Sequence, residues 1–201
     1  MQVLTLIVPL ALLASCVTGK QSLESVGEGA YRLEKPHASI TWRVKHMGLS
    51  NYTARFSAFD IALDFDPANP GGSSVKAIID PMSVRADHPT DEDWNTRLGA
   101  DYFRAAQFPQ IVFTSRSIET TGEFTGKVTG DLAFLGVVRP VTLDVTFNGA
   151  VPPSPLYGGR AAIGFSARGV LKRSDFGLTR HASFVGDEVE IIIEAEFSKG
   201  A

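Results

Sequence analysis

The clearest signal along the chain is a two-residue alternation of apolar and polar side chains, in short runs punctuated by Gly, Pro and Asp. That period belongs to half-buried β-strands. Over residues 39–46, Ile40, Trp42, Val44 and His46 fall on one face, and Ser39, Thr41, Arg43 and Lys45 on the other. The same pattern predicts a strand over 52–60 that continues through Ile61, Leu63 and Phe65 to a turn at 67–72. Further strands are expected over 75–79, 111–116, 127–135, 141–148, 161–171 and 188–197, with a short one near Tyr31. A single helix is expected over 90–98, where Thr90 and three acids suit a helix N-terminus.

About eight antiparallel strands with little helix must hide their edges, and closing the sheet on itself removes them. The expected class is therefore all-β, an up-and-down antiparallel barrel with one short capping helix, ahead of a β-sandwich. At about eight strands the interior is either filled by side chains or wide enough for one small ligand. The expected inner faces mix Trp42, Phe56, Phe113 and Phe165 with Ala54, Ala77, Gly130, Ala161 and Ala167. On composition alone this favours a filled core.

The N-terminus follows another pattern. Residues 3–14 are an apolar run of 12, short of the roughly 20 that cross a bilayer, and they read as the apolar region of a secretory signal peptide although no Lys or Arg precedes Lys20. Leu13-Ala14-Ser15-Cys16 resembles the bacterial lipoprotein box, whose cysteine becomes the lipidated first residue of the mature chain. The expected organisation is a signal peptide over 1–15, lipidated Cys16 with a polar tether to residue 29, and a barrel domain over 30–201. More than one acyl chain on Cys16 makes a lasting membrane anchor.

Charge and cysteine content narrow the chemistry. Lys plus Arg number 19 and Asp plus Glu 22, a net charge of −3, which offers no electrostatic footprint for nucleic acid. One cysteine excludes an internal disulfide and a thiolate zinc site. His37, His46, His88 and His181 lack metal-ligand spacing, so no metal or other cofactor is expected. Asp175-Phe176-Gly177 spells the kinase magnesium triplet without the other kinase loops, and 164–169 is not a nucleophile elbow. Asn51-Tyr52-Thr53 matches a glycosylation acceptor only in form.

Six segments in order carry a family resemblance: YRLEKPHASI from Tyr31, VKHMGLS from Val44, DYFRAAQFPQIVF from Asp101, VTGDLAFLGVVRPVTL from Val128, KRSDFG from Lys172 and VGDEVEIIIEAEF from Val185. Together they resemble the YceI-like proteins, the bacterial polyisoprenoid-binding family, over essentially the whole of 30–198. The resemblance implies a lipocalin-like barrel closed at one end by a helix, with an apolar lumen for a long isoprenoid, an isoprenoid quinone or a similar amphiphilic lipid. That replaces the filled core with a hollow one. The signal peptide and the lipoprotein box imply the periplasmic side of a bacterial envelope, and Val17 after Cys16 favours the outer membrane. The sequence carries no signal for oligomeric state.

Trp42, Phe56, Phe113, Phe134 and Phe165 are lumen candidates by strand parity, and a register slip of one would flip them all. His46 is a candidate head-group contact at a strand end, against the alternative of a hydrogen-bonded core histidine. Arg173 and Asp175 place paired charges at the rim, where the arginine suits a phosphate or quinone oxygen; a structural ion pair is the alternative. A carrier is the leading function. An enzyme acting on a lumen-bound isoprenoid through His46, Arg173 and Asp175, and a structural or stress-response adaptor with a filled barrel, are the competing readings.

Overall fold

The computed structural model describes residues 22–23, 26–88 and 93–199. The expected signal peptide, Cys16 and the first acids of the expected helix lie outside them. Ten strands follow in order: β1 Gly29–His46, β2 Ser50–Phe56, β3 Phe59–Phe65, β4 Ser74–Ile79, β5 Val84–Arg85, β6 Ile111–Gly122, β7 Thr125–Phe134, β8 Val137–Ser154, β9 Arg160–Lys172 and β10 Val185–Lys199. Between β5 and β6 lies one helical turn, α1 Trp94–Arg97, extended by a wider turn over Leu98–Tyr102.

Each strand pairs antiparallel with its neighbour, and β10 returns to pair with β1, from Tyr31 opposite Lys199 to His46 opposite Val185. The ten strands make an eight-strand closed barrel because two of them are broken. β2 and β3 are halves of one strand, both lying against β1, and their partners β5 and β4 are similarly divided. The two breaks sit side by side. Ser57 N–H donates to Ser83 O, Asp80 N–H to Ala58 O, and the Ser57 hydroxyl also donates to Ser83 O. The buried Ser83 hydroxyl lies 2.6 Å from Asp80 O.

Alternation holds where it was expected: Ile40, Trp42 and Val44 are buried, whereas the outward Arg43 pairs with Glu190 directly across on β10. The short strand near Tyr31 and the strand over 39–46 are one element, β1, in which a bulge between Leu33 and Ala38 takes up Lys35, Pro36 and His37. A bulge tolerates a proline because the ladder is already interrupted there. Among the described residues the helix runs from Trp94, and Thr90 lies outside them. Leu23 and Val26, read as tether, pack against the core.

Ser83→Ala removes the hydroxyl that bonds Asp80 O and, 3.2 Å away across the two breaks, Ala58 O, and about 1 kcal/mol of stability should go with it, read as a lower urea midpoint with an unchanged slope.

Candidate functional site

The barrel interior is hollow. A cavity of about 640 Å³ opens at the β1–β2 end, within the roughly 300–1,000 Å³ typical of ligand sites. Its walls are the inward side chains of the barrel strands. Its partial roof comes from the segment after β5, through Trp94, Leu98, Tyr102 and Phe103. A second chamber of about 170 Å³ lies toward the other pole, beneath Phe65, Phe147, Phe165 and Phe197. The two share Ala77, Phe113, Leu143 and Ile193, which form a waist.

Two glycines shape that waist. A Cβ on Gly130 would sit 2.5 Å from the Phe113 ring, and one on Gly169 would sit 2.6 Å from Leu143. Each inward position gives its side-chain volume to the neighbour on the next strand, so ring and isobutyl group lie against the wall.

The lining is apolar with a polar fringe at the rim. His46, His88, Arg173, Arg180 and His181 border the larger cavity, and none of its lining residues is an Asp or Glu. The aromatic roof is linked side to side: His88 lies over Trp94, Trp94 meets Tyr102 edge-on, and Tyr102 faces His181. The Trp94 indole N–H donates to Tyr52 Oη, His181 Nε2 is 3.0 Å from Tyr102 Oη, and the Arg180 guanidinium sits 4.7 Å from the Tyr102 ring centre. Burial raises the Tyr52 phenol above its ordinary pKa, so it stays protonated at neutral pH. Trp42 Nε1 is buried without a hydrogen-bond partner among the described residues.

Of the residues singled out from the sequence, Trp42, His46, Phe56, Phe113, Phe134 and Arg173 line the larger cavity. Phe165 lines the smaller one instead. Asp175 is exposed and borders neither.

Arg173 is a different kind of residue from the free cation expected. It is buried, and its guanidinium donates to four main-chain carbonyls: Nε to Gly186 O, Nη1 to Leu178 O and Arg180 O, and Nη2 to Val185 O. It pins the β9–β10 connection that builds one side of the rim. Asp187, not Asp175, holds the start of this segment, accepting from Ser174 N–H and Ser174 Oγ. Those bonds hold its carboxyl below the usual carboxylate range. Tyr52, His88, Trp94, Tyr102, Phe103 and Arg180 were missed, because the segments bearing most of them have no strand period; the aromatics from Trp94 to Phe103 were the available clue. Among the described residues, no three or more His, Cys, Asp or Glu side chains are grouped to hold a metal ion.

A closed up-and-down barrel with an apolar lumen and a polar rim defines a ligand-enclosing β-barrel. Residues 31–197 match the family model of the YceI-like domain, and the chain belongs to that family. It is 35% identical over 168 residues to protein YceI of Escherichia coli O6:H1, covering 83% of this chain and 85% of that protein. Among solved structures it superposes on Burkholderia cenocepacia BcnA with a TM-score of 0.71 at 26% identity, covering 82% of this chain and 98% of the other. A Campylobacter jejuni YceI protein aligns with a TM-score of 0.67 at 29% identity, covering 78% of this chain and 90% of that one. A Saccharophagus degradans domain described as polyisoprenoid-binding shares the fold, with a TM-score of 0.60 at 16% identity over 86% of this chain and 99% of that one.

Arg173→Met takes the donors from four main-chain carbonyls at once and should cost about 3 kcal/mol or more; Arg173→Lys should not restore the loss, since an ammonium has three donors and no planar fork. Urea unfolding and limited proteolysis between Lys172 and Val185 read both. Because the folded pKa of Asp187 lies below the unfolded value, its stabilisation is present above about pH 4 and is lost as pH falls through the folded pKa. Asp187→Asn should remove that part of the acid sensitivity, seen as a flatter stability profile on the acid side.

Proposed function

We propose that this protein is a non-catalytic carrier or sequestering protein whose lumen takes a long-chain isoprenoid, an isoprenoid quinone or a similar amphiphilic lipid. The observation that carries the reading is the cavity: about 640 Å³ of apolar-walled space, with a further apolar chamber on the other side of a waist of four shared wall residues. Association costs about 4–15 kcal/mol in lost freedom, and each buried methylene returns about 0.8 kcal/mol. A guest therefore needs on the order of ten buried carbons, which a chain threaded along the bore supplies. The description of the Saccharophagus degradans domain supports the isoprenoid class, and the YceI-like family membership supports a binding role.

The tail runs from the rim past Ala77, Phe113, Leu143 and Ile193 toward Phe165. The head stays at the rim among His46, Arg180 and His181, because the donors of Arg173 are committed to the main chain. In this reading Cys16 carries the acyl anchor on the periplasmic face of the bacterial envelope, with the outer membrane favoured by Val17.

Organic extraction of protein purified from its native host should release an apolar molecule in stoichiometric amount; an empty protein that also ignores prenyl chains overturns the proposal. Ala77→Phe puts a ring into the waist. It should weaken binding of long prenyl alcohols about tenfold for every two methylenes excluded and leave short ones untouched, as titrated by intrinsic fluorescence.

A further inference from the structure

The rim carries apolar side chains that the lumen does not need. Leu49 is 84% exposed, Met47 55% and Phe184 55%. They sit on two adjacent turns, the β1–β2 turn and the end of the β9–β10 connection, held together where Met47 N–H donates to Phe184 O at 2.6 Å. Met47 and Phe184 also line the larger cavity, so two of the three belong both to the lumen wall and to the outer lip. Met47 occupies the left-handed region at φ +51°, which non-glycine residues seldom adopt. The backbone thus presents a large apolar side chain to solvent in a conformation that glycine or asparagine would take more readily.

Within the two lip segments the charged side chains are of one sign, with Asp187 beyond them bound to Ser174. The two lip segments, 45–50 and 178–186, contain Lys45, His46, Arg180 and His181 and no Asp or Glu. Exposed apolar side chains beside cations form the pattern of an interfacial membrane contact, in which the apolar groups enter the headgroup boundary and the cations meet anionic lipid.

We propose that this lip is a membrane-docking surface: Met47, Leu49 and Phe184 enter the outer layer of an anionic bilayer, with Lys45 and Arg180 on its headgroups, so that a lipid passes between bilayer and lumen without crossing water. The inference rests on the lipid-carrier reading. Its continuity with the cavity mouth selects a bilayer over a second copy of the chain, because stacked mouths would seal both lumens.

The test places an environment-sensitive fluorophore at Leu49→Cys in the full chain, with Cys16→Ala so that the label is unique and no acyl anchor contributes. A control label goes at Glu123→Cys, on the β6–β7 turn at the opposite pole. With phosphatidylglycerol–phosphatidylcholine vesicles, the label at 49 should shift to the blue and be quenched by brominated acyl chains, while the label at 123 stays in water. Phosphatidylcholine alone should give a smaller effect. A label at 49 that remains in water, a label at 123 that is quenched instead, or a shift at 49 that follows protein concentration without vesicles overturns the proposal; the last outcome identifies self-association.

Leu49→Ser, at a position too exposed to threaten the fold, should slow transfer of a fluorescent prenyl probe from vesicles about tenfold without changing its affinity in solution. An unchanged transfer rate also overturns the docking surface. Failure of the unlabelled wild-type chain to take up the probe in solution would instead overturn the carrier reading.

Discussion

The pairing of β1 with β10 is the constraint on which the rest depends. It joins the first and last strands of the domain, so the sheet has no free main barrel edge and the interior becomes a bore bounded on all sides. Closure also fixes the inward set. Once Trp42 lies opposite Ile191 and Val44 opposite Val189, the alternation on both strands leaves no choice about which side chains face the lumen. The outward set follows in the same way, and Arg43 and Glu190 meet as direct cross-strand partners.

Closure alone would leave a packed core, since an eight-strand barrel can fill itself with side chains. Small residues at selected inward positions keep this one open. Ala77 leaves room opposite Phe113, Gly130 lets that ring lie against the wall, and Gly169 does the same for Leu143. Elsewhere aromatic rings occupy the space: Phe165 packs edge-on against Phe65 and Phe147, which narrows the chamber away from the rim.

The sequence made the strands legible because solvent acts on every second residue, and that influence is local. Ile40, Trp42 and Val44 could be assigned a face without knowing what they touch. Where alternation is interrupted the reading lost continuity, as at Lys35, Pro36 and His37, where one long strand looked like two. The break at Ser57 and Ala58 was hidden for the opposite reason: apolar residues resume with little interval, and the seam depends on Ser83 in the turn between β4 and β5. Arg173 shows what a linear reading cannot reach. Its charge suggested a partner of opposite sign, whereas its four acceptors are carbonyls assembled only by the fold. The roof from His88 to Tyr102 is tertiary in the same sense, a row of rings from a segment without a strand period.

The course of β1 gives the barrel a direction. The strand starts beside Phe65, near where Leu23 packs into the narrower chamber, and ends at His46 beneath the opening. The chain thus enters the barrel at its narrow pole and runs the whole length of the bore before the first turn, so stern and bow are set by a single strand.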